Sequence, residues 1–240
     1  MSAAHAMPGA RRPPWSVVCD FDGTIALEDV TDTLLLRFAR PGWRELEAAW
    51  QAGRISARTC MAGQVALLDC SREELEAHVA GIAIDPAFKA FVAAVHADGA
   101  SLTIASDGLD AVIAAMLARA AVPGLEVHAS RLVQLGPREW RLSFPNARAD
   151  CTSGAATCKC ACLQEEGGRP TLLVGDGASD FCVAGRVELT FAKSALRDHC
   201  VDLGLPHRPI ADFGEALAAW RELVATDAPT TAARPREEIA

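Results

Sequence analysis

The spacing of apolar residues changes twice along this chain. Trp15-Ser16-Val17-Val18-Cys19 is a short β-branched apolar run that ends at the carboxylates of Asp20 and Asp22, the pattern of a buried strand. A helical interval then takes over. Leu34, Leu35, Leu36 and Phe38 follow Asp29 and Thr31, either of which can cap a helix, and Pro41-Gly42 stops it. Trp43 to Trp50 and Ser56 to Leu68 predict two more amphipathic helices. Ser71-Arg72-Glu73-Glu74 has capping-box spacing and predicts another, running to Ala80. Pro86 opens a helix through Phe88, Phe91, Val92 and Val95 that ends at Asp98-Gly99.

From Ser101 the two intervals alternate. Ser101 to Ala105 predicts a strand ending at Ser106-Asp107-Gly108, and Leu109 to Ala120 an alanine-rich helix. Leu125 to Leu135 and Trp140 to Phe144 predict strands or a hairpin around Gly136-Pro137. Lys159 to Glu166 reads as helical, and Thr171 to Val174 as a buried strand ending at Gly175-Asp176-Gly177 with a helix from Ser179. Val187 to Phe191 is a further strand, and Ala195 to Leu203 and Phe213 to Val224 are helices. Such alternation predicts an α/β fold, a doubly wound parallel sheet whose ligands sit at the strands' carboxyl ends. The helical stretch after the first strand predicts a small inserted cap. The expected division is a disordered leader at 1–13, a core at 14–32 and 85–226, a helical cap at 33–84 and a disordered tail at 227–240.

Half of the 240 residues are hydrophobic, a globular composition. A net charge of −8 excludes the basic stripe of a nucleic-acid binder. No apolar run approaches the roughly 20 residues that span a bilayer. Arg11-Arg12 is followed by Pro13-Pro14 and not by the apolar segment of a signal peptide. The expectation is a cytoplasmic protein without membrane or nucleic-acid partners; oligomeric state is not written in these features. Nine cysteines, an odd number on a long chain, suit reduced thiols.

The chemistry concentrates at strand ends. Asp20 and Asp22 lie two apart on a strand and can point into one crevice. Two carboxylates held together are costly without a cation or a shared proton. Ser106-Asp107-Gly108 and Asp176 with Asp180 close two other strands, so all three clusters share one rim. Lys159 begins a helix nearby. Carboxylates, a hydroxyl, free amides and an ammonium suit a phosphate dianion with a divalent cation, and carboxylate oxygens suit Mg²⁺.

This ordered set resembles the haloacid dehalogenase-like superfamily of phosphatases over Trp15 to Val224. The motifs are Asp20-Phe21-Asp22-Gly23-Thr24, Ser106, Lys159 and Gly175-Asp176-Gly177-Ala178-Ser179-Asp180. The cap position is the helical type found with phosphoserine phosphatases. Phe144-Pro145, the cysteine-rich run to Cys158-Lys159 and Phe191-Ala192-Lys193 resemble the 2-hydroxy-3-keto-5-methylthiopentenyl-1-phosphate phosphatase group.

The resemblance implies a Mg²⁺-dependent phosphatase of a small phosphorylated metabolite. In it Asp20 is the nucleophile that forms an aspartyl-phosphate, and Asp22 the general acid and base. Thr24, Ser106, Asp107, Gly108 and Lys159 are implied to hold the phosphate. Asp20, Asp176, the main-chain carbonyl of Asp22 and, indirectly, Asp180 are implied at the metal. A phosphoserine phosphatase, a phosphomutase and a non-catalytic phospho-ligand binder are the rival readings. The related group often has Ser-Gly-Gly where this chain has Ser106-Asp107-Gly108, so the Asp107 carboxylate is expected to turn away from the phosphate. Asp29, Arg54 and Arg58 are candidate substrate contacts, whereas Trp43 and Trp50 are expected to be packing residues. Cys151, Cys158, Cys160 and Cys162 form a thiol cluster whose C-x-C spacing does not match a zinc knuckle, and Cys19 and Cys182 are expected in the core.

Overall fold

The computed structural model describes residues 14–151, 153–164 and 169–227; the expected leader and nearly all of the expected tail lie outside them. The apolar run before Asp20 is β1 (Ser16–Cys19), the central strand of a seven-stranded sheet. On one side it pairs in parallel with β2 (Ser101–Leu109), and beyond that lie β3 (Glu126–Gly136) and β4 (Glu139–Ser143). On the other side come β5 (Thr171–Gly175), β6 (Leu189–Ala192) and β7 (His207–Pro209). The spatial order is β4-β3-β2-β1-β5-β6-β7, and β4 alone runs antiparallel to its neighbour. Cys19 is level with Ile104 and Val174, which sets the following residues of three strands on one rim.

Both faces of the sheet are buried, as continuous apolar strands require. Val17, Cys19, Leu172 and Val174 join one hydrophobic cluster, and Val18 and Leu173 join the other, so the pleat sends alternate residues to opposite faces. The first face carries α5 (Phe88–Ala97), α6 (Asp110–Arg119) and α10 (Phe213–Asp227). Phe91 lies at 5.3 Å from the ring of Phe213 and at 6.4 Å from that of Trp220, aromatic packing that locks α10 to α5. The second face carries α7 (Lys159–Gln164), α8 (Phe181–Ala184) and α9 (Ser194–Leu203).

Between β1 and α5 the chain makes four helices: α1 (Val30–Phe38), α2 (Trp43–Gln51), α3 (Ala57–Ala66) and α4 (Arg72–Val79). Asp29 caps α1 by accepting from Asp32 N at 2.9 Å, and Ser71 with Glu74 forms the capping box of α4. The two chain passages into and out of this region run side by side, antiparallel, bridged at Ala26 and Ile84. Its apolar residues Leu34, Leu35, Val65 and Leu75 belong to the same cluster as the sheet face, with no apolar gap between them.

A second support stands at the sheet's edge. β3 pairs with β2 over its first half and with β4 over its second, so a hairpin rises past the sheet rim and packs against α3. Arg138 at its tip donates to Asp69 Oδ1 at 2.6 Å, to Glu74 Oε2 at 2.7 Å and to the Asp69 carbonyl at 2.7 Å. Buried Trp140 donates its indole N–H to the Cys70 carbonyl at 2.9 Å.

Two elements differ from the sequence-based expectation. β2 runs on through Ser106-Asp107-Gly108 to Leu109, with an irregularity that skips these residues in the pairing with β3. Extra residues unpaired at a strand end re-aim side chains and amides, which suits a site. β7 is three residues long and carries Pro209, too short for any periodicity to reveal it.

Candidate active site

Strand β1 delivers Asp20 to the rim and the chain then turns sharply at Gly23, whose φ is +68°. A Cβ there would lie 2.6 Å from Asp176 Oδ2, so both the conformation and the approach of Asp176 require glycine. Gly108 is needed for a similar reason, since its Cβ would meet Asp22 Oδ2 at 2.5 Å. The glycines let three strand ends crowd together.

Lys159 ties them. Its buried ammonium reaches Asp180 Oδ1 at 2.5 Å, Asp20 Oδ2 at 2.9 Å and Ser179 Oγ at 3.0 Å, which uses its three donors. Burial opposes the charge on this lysine, but Asp180 and Asp20 hold the ammonium well above its ordinary pKa. Asp180 also accepts through Oδ2 from the amides of Asp176 and Gly177, and burial pushes its carboxyl up to about 7 against the pull of Lys159. Asp20 accepts from the Phe21 amide at 2.8 Å and from the Ser179 hydroxyl at 3.3 Å.

Oxygens of Asp20, Asp176 and Asp180 lie within 4.8 Å of one another. Three carboxylates against one ammonium leave two negative charges when all are ionised, in a place with little water to screen them. Burial first, and then Asp20, raises the pKa of Asp176. Hard oxygen donors with a deficit of two positive charges fit a divalent cation such as Mg²⁺. Asp22 is not in this carboxylate group.

The structure sets Asp22 apart in another way. One of its oxygens accepts from the Val30 amide at 2.9 Å, at the start of α1. Burial, then the charge of Asp29, lifts its pKa well above the usual carboxylate range. Asp29 is pushed up to about 6, chiefly by burial. The two neighbouring aspartates of the first motif are thus unlike: Asp20 is paired with an ammonium, and Asp22 is disposed to keep a proton.

A cavity opens over this rim, lined by Asp20, Asp22, Ser106, Asp107 and Gly108 below and by Asp29, Asp32, Glu47, Trp50 and Met61 above. Ser106 is 1% exposed, and its Oγ accepts from the Gly108 amide at 3.0 Å. Asp107 does not extend freely into the cavity: its Oδ1 accepts from the Thr157 amide at 2.6 Å. Its carbonyl takes a bond from Ser130 Oγ at 2.8 Å. The Thr24 hydroxyl, expected at the phosphate, is buried and donates to Asp176 Oδ1 at 2.8 Å.

Other expected residues stand elsewhere. Arg54 is exposed and Arg58 half-buried, and neither lines the cavity. Their i, i+4 relation needs one continuous helix, but α3 starts only at Ala57. Trp43 packs against the main cluster, while Trp50 is on the cavity wall. Residues not singled out in the sequence take those places. Glu47 lies on α2 one turn from Trp43 and Trp50, a spacing that could have flagged it, and accepts from Gln64 Nε2 at 3.0 Å. Lys193 donates to the carbonyl of Gly23 at 2.9 Å and so fastens the first motif's turn to the end of β6.

The cysteines also rearrange. Cys162 is buried on the sheet side of α7, whereas Cys182, expected in the core, is half-buried beside Cys160. Residues two apart on a helix point in nearly opposite directions, which separates Cys160 from Cys162. None of the nine cysteines is in a disulfide.

A family model described as haloacid dehalogenase-like hydrolase matches residues 17–185. The chain is 29% identical over 215 residues to a 2-hydroxy-3-keto-5-methylthiopentenyl-1-phosphate phosphatase of Geobacillus kaustophilus, covering 85% of this chain and 94% of the relative. It is 28% identical over 204 residues to the enzyme of the same name from Bacillus velezensis, covering 83% and 86%. A substrate-bound phosphoserine phosphatase structure matches with a TM-score of 0.66 at 17% identity, over 87% of this chain and 99% of that one. At that identity the likeness is one of fold. No helix among the described residues is long and apolar enough to cross a membrane.

Proposed function

The chain belongs to the haloacid dehalogenase-like hydrolase family, and we propose that it hydrolyses a small cytoplasmic phosphate monoester through an aspartyl-phosphate on Asp20, with Mg²⁺ as cofactor. The observation that carries this is the contact of one buried lysine, Lys159, with both Asp20 and Asp180 at the mouth of β1. A carboxylate is a weak nucleophile, so placement and charge neutralisation must supply most of the acceleration.

Asp20 attacks phosphorus in line. Lys159 offsets charge on the nucleophile, and Ser106 with the amides beside it binds phosphoryl oxygens. Asp22, kept protonated by burial and by Asp29, gives its proton to the departing alkoxide. The resulting carboxylate then takes a proton from the water that cleaves the aspartyl-phosphate. Asp20, Asp176 and Asp180 would hold the Mg²⁺, which supplies positive charge beside the transferring group. Asp107 stays bonded to Thr157 and leaves the phosphate position to its amide.

Helices α1–α4, the region expected as a cap at 33–84, select the leaving group. Their share of the cavity wall combines Asp29, Asp32 and Glu47, which accept hydrogen bonds, with Met61, Trp50 and Cys60, which suit an apolar or thioether tail. Among the described residues no Arg or Lys lines the cavity. A carboxylate on the leaving group, as in phosphoserine, would therefore meet acids and no cation. This favours a hydroxylated, methylthiopentenyl-1-phosphate-like sugar phosphate over phosphoserine.

A screen of phosphorylated metabolites with Mg²⁺ and with chelator tests the reading, using Asp20→Asn as the blank. Release of inorganic phosphate from the methylthiopentenyl phosphate ahead of phosphoserine is the expected result. Transfer between isomers without phosphate release would mark a phosphomutase, and no turnover of any substrate would overturn the hydrolase.

A further inference from the structure

The chemistry above uses none of the sulfur that surrounds it. Cys151, Cys158, Cys160 and Cys182 line a second, smaller cavity of about 60 Å³, together with Arg148 and Arg186. Cys160 Sγ lies 3.9 Å from Cys182 Sγ. The Cys182 thiol is 3.8 Å from Ser153 Oγ, which is itself 3.3 Å from Cys151 Sγ, so three of the four sulfurs form a connected row. Ser153 also lines the catalytic cavity, so its hydroxyl connects this row of thiols to that space. Cys160 and Cys182 are both half-buried, within reach of small solutes, and Arg186 brings a guanidinium to the cavity beyond the Arg148–Asp150 pair that also lines it. Partly exposed thiols in electropositive surroundings are the reactive ones.

We propose that Cys160 and Cys182 are a reversible disulfide site, closed by a peroxide, that clamps the helix carrying Lys159 to the segment carrying Asp180. Sequence neighbours make the connection direct. Cys160 follows Lys159 in α7, and Cys182 lies two residues after Asp180. The two segments already meet through the 2.5 Å Lys159–Asp180 pair, and a disulfide would add a covalent link beside it.

The step balances with hydrogen peroxide as the oxidant. The Cys182 sulfur attacks one peroxide oxygen, the O–O bond breaks, and a sulfenic acid and water result. Cys160, whose sulfur is 3.9 Å away, is the resolving thiol. Cys160 sulfur then attacks the sulfenic sulfur, and the departing hydroxide leaves as water with the Cys160 proton. Two thiols are oxidised and one peroxide is reduced to two waters.

Closing the bond brings the sulfurs from 3.9 Å to the roughly 2 Å of a disulfide. In this proposal side-chain rotation takes up part of that contraction and a shift of α7 against α8 the rest, carrying Lys159 and Asp180 with it. Misplacing such groups by about 1 Å costs on the order of a hundredfold in rate.

The test treats the full chain with hydrogen peroxide, then maps disulfides by mass spectrometry of an unreduced digest. It also measures kcat on p-nitrophenyl phosphate before and after thiol reduction. A Cys160–Cys182 linkage, a fall in kcat of about ten- to a hundredfold, and recovery on reduction are expected. Cys160→Ser and Cys182→Ser should keep the basal kcat and lose the sensitivity. Absence of that linkage, a Cys151–Cys158 linkage in its place, or full kcat in the linked form would overturn the proposal. The rate measurement rests on the phosphatase reading, whereas the linkage map does not. A reduced enzyme inert on p-nitrophenyl phosphate thus counts against that reading, and the map still decides this one.

Discussion

The catalytic cavity has two walls built on opposite principles. On the sheet rim every charged group is committed to another: Lys159 to Asp20 and Asp180, Asp180 to two amides, Asp176 to Thr24. On the helical wall Asp29 and Glu47 hold only neighbours of their own region, the Asp32 amide and the Gln51 and Gln64 side chains, and face the cavity beside Asp32, Trp50 and Met61; the buried hydroxyl of Thr31 has no hydrogen-bond partner among the described residues. The first wall is organised before substrate arrives, which is what lowering a charge-transfer barrier requires. The second retains bonding capacity for a molecule it has yet to meet. Chemistry and selection are therefore separable in this protein, and substitution can break them one at a time.

The largest effect should come from Asp20→Asn. It removes the nucleophile and should lower kcat by on the order of 10⁴-fold or more. A loss under tenfold in a steady-state assay would end the distinction between the walls. Lys159→Met comes next. It strands Asp20 and Asp180 without a counter-charge and should cost about 3–5 kcal/mol in a denaturant titration. The accompanying fall in kcat is expected at about 10²–10³-fold. Lys159→Arg should not restore either, because the wider guanidinium has no room in this buried slot.

Asp29→Asn crosses from one wall to the other and sharpens the comparison through pH. Asp22 must be protonated to act as the acid, so activity is full below its raised pKa and falls as pH rises through it. Asp29 carries its charge above about pH 6, and that charge helps hold the Asp22 pKa up. Removing it lowers the Asp22 pKa, so the alkaline limb of the kcat profile should move to lower pH. An unmoved limb would show that the two carboxyls do not communicate. Glu47→Gln should be mildest, raising KM by about two- to tenfold with kcat retained, the worth of one hydrogen bond.

Legibility in the sequence followed the same division. The rim is readable because each of its parts obeys a local rule: a β-branched run, two acids at strand spacing, a glycine turn. Those rules place Asp20, Asp22, Ser106, Asp176 and Asp180 without any knowledge of tertiary contacts. Asp32 could not be read this way, because a charge on a helix looks the same whether it faces solvent or a cavity, and for Glu47 the one-turn spacing from Trp43 and Trp50 marks a shared face without saying what that face meets. Arg54 and Arg58 show the opposite error, a helical spacing assumed across a helix start. Cys182 was out of reach for a third reason: its partner is 22 residues away, and only the packing of α8 against α7 joins them.

The region between β1 and α5 is fastened where the chain enters and leaves and again at the edge hairpin. The Ala26–Ile84 bridge and the bonds from Arg119 to the carbonyls of Val79 and Ile82 make the first tie, and Arg138 and Trp140 make the second by holding Asp69, Cys70 and Glu74. The hairpin grows out of β3, a strand of the same sheet whose central strand delivers Asp20. One sheet therefore carries both the rim and the brace of the wall above it, so the two sides of the cavity share a single foundation.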